Sequence, residues 1–506
     1  MSRLTSLTLG ELLTGFVETP ASWADQRVAG LATDSRFVHL GEVFFAVRGG
    51  QRHGLEFLET VRSAGALAVL WEPPWDEVLL VDDSLLLLAV PELRRKLGRI
   101  ASRFYGEPSR HIPVVGITGT DGKTSCAHFL AQALSDAETG PCGILGTVGG
   151  GVYGQTQPLT HTTPEVLTVQ CWLAELVATG RRHAVMEVSS HALDQGRVNG
   201  VEFAVAVLTQ LSRDHLDYHG TLEAYAAAKR RLFVEHQPAW AVVNGDDAFG
   251  RELALEARAR SGIIVYGLGV RPASVERFVW GEHLELTANG LRLQIHSSWG
   301  DGELQAGLLG RFNASNLLAS LATLLALDLP FAEALARLAR TETAPGRMER
   351  LGGQDGQPLI AIDYAHTPYA LEQTLRALRE HGGRNRLWCV FGCGGDRDSG
   401  KRPLMGAAAE QWADRVIVTN DNPRTEDPAR IVADILAGMQ HPSAALVIHD
   451  RRAAIHRGLA EAGAGDIVLI TGKGHEDYQI IGGERLPFSD QAVVCESLYA
   501  TEREAA

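Results

Sequence analysis

The sequence predicts an α/β fold with mostly parallel sheets, and three observations predict it. Apolar runs of strand length alternate with stretches of helical period along the whole chain. Five of those runs, at 359–363, 387–392, 415–419, 446–448 and 467–471, give way at once to polar or glycine-rich residues. Parallel strands read this way when their carboxyl ends carry a site. A glycine loop, Gly116 to Ser125, lies between one such run and a segment with Ala127, Leu130, Ala131 and Leu134 on one helical face.

Taken in order, the chain divides into three blocks, because 506 residues exceed what one core holds. In 1–110, the runs 43–47 and 67–70 read as buried strands. A helix over 92–104 stops at Tyr105-Gly106-Glu107-Pro108. In 111–344, strands are expected at 112–117, 184–188, 203–208 and 241–244, and a helix over 332–340 precedes the break at Pro345-Gly346. The five runs above fill 345–506. There is no internal repeat, low-complexity tract or long linker.

Composition narrows the function. With 45% hydrophobic and 21% charged residues the chain is an ordinary globular protein. Its 47 basic against 61 acidic side chains give a net charge of −14. That balance argues against binding nucleic acid or an anionic membrane, which need clustered cations. The six cysteines are scattered without a CxxC pair, so neither a disulfide scaffold nor structural zinc is expected. Met1 to Thr5 opens no apolar run of signal length, and 85–90 is too short to cross a bilayer. A cytoplasmic protein with reduced thiols is the expectation.

The strongest motif is Gly116-Ile117-Thr118-Gly119-Thr120-Asp121-Gly122-Lys123-Thr124-Ser125. Small residues let backbone N–H groups approach phosphates, Lys123 adds charge, and the Thr124 hydroxyl suits Mg²⁺. The general phosphate-loop template asks for glycine five residues before Gly122, where this chain has Ile117. The loop instead resembles the TGT-x-GKT loop of the Mur ligase and folylpolyglutamate synthetase superfamily, ATP-dependent amide-forming enzymes. Asp121 stands where that loop most often has Asn. Further segments resemble Mur ligase motifs in the right order over essentially the whole chain. They are 186–191, 211–220, 310–316, 346–349, Asp363-Tyr364-Ala365-His366-Thr367-Pro368 and Gly472-Lys473-Gly474-His475-Glu476.

The resemblance implies a uridine-nucleotide domain, a central ATPase domain and a C-terminal Rossmann-like domain. It is strongest to the ligase that adds the third residue of the peptidoglycan stem peptide. It implies phosphorylation of the D-glutamate γ-carboxylate in UDP-MurNAc-L-Ala-D-Glu by ATP, then attack by an amino-acid amine. Gly119, Thr120, Asp121, Gly122, Lys123, Thr124 and Ser125 would hold ATP, with Asn313, Asn316, Arg347 and Asp363 around adenine, ribose and phosphates. Thr124, Glu187 and His215 would bind Mg²⁺, and Lys229 would carry a CO₂-derived carbamate as a further metal ligand. Lys123, Lys229, His215 and Arg347 would be catalytic. Thr33, Ser35, Gly50, Gln51, Arg52, Thr162, Thr163, Ser189, Gln195 and Arg197 would hold the UDP-substrate, and His161 replaces an Asn of some relatives. A monomer is expected.

Several of these residues have plainer readings. Lys229 reads as an exposed helix lysine, or as a carbamate site whose amine Arg230 and Arg231 help to deprotonate. His215 reads as a packed core histidine, and Asn313 as the N-cap of a helix over 314–325.

The last block carries the substrate choice. Asp421-Asn422-Pro423-Arg424, Arg397, Gly472 and Glu476 each follow a strand. Two guanidiniums pair with a carboxylate and one carboxylate accepts from an ammonium, so together they clamp a zwitterionic end. The DNPR sequence resembles that of family members selecting meso-diaminopimelate. An L-lysine-adding ligase, a folylpolyglutamate synthetase and a non-catalytic nucleotide-binding relative remain as alternatives. Arg424 speaks against the first and residues 1–110 against the second. Among the ligand-type residues, Asp121 alone favours the third.

Overall fold

The protein is described here by a computed structural model covering residues 7–50, 52–76, 84–138, 140–258, 260–271, 275–287, 289–353, 356–382 and 385–505, with side chains to 498. The opening residues Met1 to Thr5 and the candidate Gln51 lie outside the described residues. The chain forms two compact units, Met1–Val265 with Ala322–Asp328, and Tyr266–Leu321 with Leu329–Ala506.

The first unit holds two sheets. Strands β1 (Gly30–Ala32), β2 (Glu42–Ala46), β3 (Ala68–Trp71) and β4 (Leu86–Ala89) lie parallel in that order. Side chains alternate between the faces of a strand. Val43, Phe45, Ala68 and Leu70 therefore pack on Leu93, Leu97, Ile100 and Phe104, the apolar stripe of the helix Leu93–Phe104. Phe44, Ala46 and Val69 face the other way, onto Leu58 and Val61. The predicted helix starts one residue later than expected because Glu92 adopts a positive φ of 56°.

The second sheet is built from β5 (Val114–Thr118), β6 (Gly143–Gly146), β7 (Gly149–Val152), β8 (Gln155–Gln157), β9 (Ala184–Glu187), β10 (Val205–Leu208) and β11 (Trp240–Asn244). Their order is β11-β10-β5-β9-β6-β7-β8. β5 is buried along its length and pairs parallel with β9 and β10. The register sets Ile117 beside Glu187 and Thr118 beside Leu208. The segments following three strands, with the glycine loop among them, thus emerge at one edge. The antiparallel β7 and β8 escaped the sequence pattern, since Gly149-Gly150-Gly151 carries no hydrophobic alternation.

The division between units falls within β12 (Gly262–Gly267). In the second unit, β13 (Phe278–Thr287), β14 (Gly290–Ser297) and β15 (Gly300–Ala306) form an antiparallel meander. Sequence reading missed it because its exposed face is charged, as at Glu282, Glu285, Arg292 and Glu303. The six-stranded sheet comprises β16 (Glu349–Gly352), β17 (Leu359–Asp363), β18 (Leu387–Phe391), β19 (Arg415–Val418), β20 (Leu446–Val447) and β21 (Ile467–Thr471), in the order β16-β17-β21-β18-β19-β20. All but β16 are parallel. Leu371, Leu375 and Leu378 cover one face, and Ala454, Ile455, Val493 and Val494 the other. A parallel sheet clothed on both sides reads as unbroken apolar runs, which is why its strands were predictable to within a residue or two. The carboxyl ends of β17, β18, β19 and β21 carry candidate residues. A hairpin of β22 (Tyr478–Ile481) and β23 (Glu484–Pro487) follows.

Candidate active site

In the first unit the glycine loop leaves β5 and ends at Gly122, N-cap of the helix Lys123–Ala133. Gly119 has φ 144°, and a Cβ there would lie 1.8 Å from Thr209 Oγ1, so the loop closes against Thr209 only with glycine. Thr209 Oγ1 in turn donates to the Asp121 carbonyl at 2.6 Å. The Asp121 carboxylate accepts from Gln210 Nε2 at 2.8 Å. Thr120 Oγ1 donates to Ser212 O at 3.2 Å. Lys123 donates to the carbonyls of Gly119 and Thr120 at 2.9 and 2.8 Å. Ser125 is half-buried in the first helical turn. A positive helix end, glycine backbone and an ammonium together make a phosphate cradle.

Lys229 departs most from its plain reading. It is 1% exposed, not a solvated helix lysine, and donates to Gly119 O at 2.7 Å. Burial, then the nearby Lys123 ammonium, hold its pKa well below the usual value. Arg230 and Arg231 do not contribute as expected. They turn to Glu252 and Glu256, and to Asp194 and Glu235. Tyr225, whose ring lies 4.4 Å from Lys229 Nζ, has its own pKa pushed up to about 12 by burial.

Glu187, at the end of β9, accepts from Thr124 Oγ1 at 3.0 Å and from Thr147 N at 2.8 Å. A hydroxyl and a carboxylate held this close suit a hard cation. Among the described residues no three His, Cys, Asp or Glu side chains converge as a ready-made metal site. A Mg²⁺ ion bound by Thr124 and Glu187 would need most of its oxygen ligands from phosphate and water. His215 is not a core histidine. Its side chain is 47% exposed, it has φ 51°, and its ring stands 4.9 Å from that of His191.

Beside Glu187, four predicted UDP-substrate residues come together. Thr163 Oγ1 donates to Glu187 O at 2.9 Å and accepts from Ser189 N at 3.0 Å. Arg197 donates to Thr163 O at 2.9 Å and grips Gln195 Oε1 at 3.0 and 2.7 Å. Thr162 and the unpredicted Thr147 join through their hydroxyls at 3.2 Å. Thr33 precedes the short turn Ser35–Phe37, capped by Asp34. Gly50 and Arg52 are exposed in a turn closed by Gly49 N donating to Arg52 O at 2.7 Å.

In the second unit, Asp363 ends β17 and accepts from Met348 N at 2.8 Å and Ala365 N at 2.9 Å, fixing the segment that carries Arg347. Burial raises the Asp363 pKa, and the Arg347 guanidinium opposes that rise. Arg347 lies over the Tyr364 ring at 5.1 Å. Asn313 is not an N-cap. The helix Arg311–Ala326 starts two residues before it, and its amide donates back to Leu309 O at 2.8 Å while its oxygen accepts from Asn316 at 3.1 Å.

The loops expected to take the amino acid follow β18, β19 and β21. Above Gly394, the Arg424 guanidinium (Nη1) and the stem of Arg397 (Cγ) both lie within 4 Å of the place a Cβ would occupy, so the missing side chain leaves room for both residues on one side of the loop. Arg424 Nη1 donates to Gly395 O at 2.7 Å. Asn422 donates to Glu476 at 3.0 Å, and its own oxygen accepts from Ile480 N at 2.9 Å. Pro423 is buried behind them. Gly472 lies against the Asp421 carboxylate, whose pKa burial raises. The sequence reading left Lys473 without a role. It is fully buried and donates to Glu476 at 3.0 Å and Asn422 at 3.1 Å. Its place inside a glycine-flanked motif was the available signal.

The fold and these loops define an enzyme that binds a nucleotide and acts through phosphate chemistry. Residues 117–324 match the Mur ligase middle domain and residues 346–474 the Mur ligase glutamate ligase domain. The UDP-N-acetylmuramoyl-L-alanyl-D-glutamate–2,6-diaminopimelate ligase of Alkalilimnicola ehrlichii is 50% identical over 481 residues, covering 94% of this chain and 95% of its own. That of Chromobacterium violaceum is 50% identical over 474 residues, covering 92% and 93%. A solved structure of a ligase with the same name superimposes with a TM-score of 0.76 at 36% identity, covering 98% of this chain and 100% of its own. The chain belongs to the Mur ligase family. Like its relatives it is a ligase that forms an amide bond with ATP. Among the described residues no helix is long and apolar enough to cross a membrane.

Proposed function

We propose that this chain joins meso-diaminopimelate to UDP-MurNAc-L-Ala-D-Glu with cleavage of ATP to ADP and phosphate, a step in making peptidoglycan precursors. The observation that supports the substrate choice is the Arg424 guanidinium over Gly394 next to the Arg397 stem, with Glu476 bonded to Asn422, two residues before Arg424. Two guanidiniums take a carboxylate and Glu476 takes an ammonium, which are the groups at the far end of diaminopimelate. Lysine offers that end an ammonium alone.

The chemistry follows from charge. An oxygen of the D-glutamate γ-carboxylate attacks the γ-phosphorus of ATP, and ADP leaves. The amine then attacks the acyl phosphate carbonyl, phosphate leaves, and the nitrogen gives up its proton. Both partners of the first step are anions, so the chain must supply cations and fixed donors. Lys123 and the N–H groups after Gly119 would hold the phosphates, and Thr124 and Glu187 would hold Mg²⁺; the family resemblance assigns Arg347 to the transferred group. The ion neutralises phosphate charge. His215 and a carbamate on Lys229 would serve as further ligands, and the burial of Lys229 supports the neutral amine that CO₂ requires. Asn313, Asn316 and Asp363 position the nucleoside end.

Residues 1–110 would take the uridine nucleotide, 111–344 ATP and 345–506 the amino acid, in a cytoplasmic monomer. Phosphate release measured with UDP-MurNAc-L-Ala-D-Glu and ATP, comparing meso-diaminopimelate with L-lysine, tests the reading. Release with diaminopimelate and little with lysine is expected. The reverse preference would assign a lysine-adding enzyme, and no release with either would leave a non-catalytic relative.

A further inference from the structure

We infer that Arg402, through its bidentate ion pair with Glu426, is the positioning residue that aligns Arg397 and Arg424 for the carboxylate of the incoming amino acid. The inference rests on the diaminopimelate reading above and goes beyond it, since neither residue touches the proposed substrate.

Arg402 is the second residue of the helix Lys401–Trp412, and its side chain is 1% exposed. Its guanidinium meets Glu426 fork to fork, Nη1 to Oε1 at 2.7 Å and Nη2 to Oε2 at 2.6 Å. Nη1 also donates to Asp434 at 2.9 Å, and Nη2 to the Gly394 carbonyl at 3.3 Å. Glu426 passes the constraint on by accepting from Asp396 N at 3.1 Å. Asp396 accepts from Thr425 N at 3.0 Å. The residue after Asp396 is Arg397, and the residue before Thr425 is Arg424. One guanidinium therefore braces both loops at positions adjacent to the two arginines.

The brace has something to hold. Asp396 and Arg424 have φ values of 53° and 52°, a left-handed conformation that is strained for a non-glycine residue. The loops are also in backbone contact, for a Cβ on Gly395 would lie 2.0 Å from Pro423 O. A shift in either loop moves both guanidiniums. The Arg402 guanidinium holds the Glu426 carboxyl down at about 2, so the pair stays ionised at any working pH. Bidentate geometry, and not charge alone, fixes the loops, because a lysine ammonium is a point charge without the fork.

The test uses full-length enzyme and the phosphate-release assay, first with wild type, whose use of diaminopimelate establishes the underlying reading. Glu426→Gln and Arg402→Lys are then compared, with melting temperature followed in parallel. KM for diaminopimelate should rise about tenfold or more in both variants, on the scale of a lost charged hydrogen bond. KM for ATP and for the UDP-substrate should stay within about twofold, and kcat should fall less than KM rises. The preference for diaminopimelate over L-lysine should narrow by the same factor. An unchanged diaminopimelate KM, or equal rises in all three KM values with a lowered melting temperature, overturns the positioning role. If wild type itself does not use diaminopimelate, the substrate reading has failed instead.

Discussion

Lys123 and Lys229 donate to the same oxygen, the carbonyl of Gly119, at 2.9 and 2.7 Å. Two ammonium groups on one acceptor repel, and the more buried of them is the one to lose its proton. The Lys229 pKa is accordingly depressed, by burial first and Lys123 second. Between that lowered pKa and the ordinary 10.5 the folded state binds one proton fewer than the unfolded chain, so stability rises with pH across the window. In CO₂-free buffer, denaturant unfolding of Lys229→Met should show a flatter rise than wild type. In the activity assay Lys229→Ala should abolish ligation, with partial recovery on adding short carboxylates. A fully active variant would remove the carbamate from the mechanism.

Lys123 spends its hydrogen bonds on its own loop, on Gly119 and Thr120. Bound phosphates would take those donors over. Lys123→Ala should therefore lower ATP turnover by about 10²–10³-fold, the usual cost of deleting a donor that meets developing charge. Circular dichroism should show the fold intact, and retained turnover would refute the phosphate-loop assignment.

Asp121 is exposed and held by Gln210 at 2.8 Å, so its charge stands at the mouth of the phosphate cradle. Asp121→Asn keeps the acceptor and removes the charge. KM for ATP should fall about two- to tenfold at low salt, and the gain should shrink as salt screens it. An ATP KM unchanged at every ionic strength would show that the phosphates lie beyond its reach.

Arg424 has φ 52°, so glycine removes its guanidinium and also relieves the backbone strain, whereas alanine removes the guanidinium and keeps the strain that arginine already bears. Arg424→Gly should raise KM for diaminopimelate about 10–100-fold, the worth of one charged bidentate contact, and leave KM for the UDP-substrate alone. Steady-state kinetics in each substrate check this. Equal losses in both would sink the pocket assignment.

Glu426 supplies the acid limit. Its pKa is lowered from 4.5 to about 2 by Arg402, so its stabilisation is complete above pH 4.5 and disappears as pH falls to about 2. Thermal melts of wild type and Glu426→Gln should differ most above pH 4.5 and converge in acid. Parallel curves throughout would mean the pair adds no pH-dependent stability.

How much of this was legible depended on sequence distance. The strand, loop and helix around Gly119 to Ser125 are contiguous, and their chemistry is written in neighbouring residues. Four of the five parallel strands of the last sheet, β17, β18, β19 and β21, are apolar on both faces, so composition alone marked them. The meander over β13 to β15 is solvated on one face and left no such trace.

By itself the sequence determined the α/β class, the phosphate loop and the arginine-bearing turns, because each is a local pattern of residue types. Only the tertiary structure decided that Lys229 is buried, since its partner Gly119 is 110 residues away. The same holds for Arg402, an unremarked lysine neighbour in the sequence, which sits on a helix while its partner Glu426 lies 24 residues on in a loop. Burial and charge pairing are properties of what surrounds a side chain, and a chain's neighbours in space are settled when its strands take their order in the sheet.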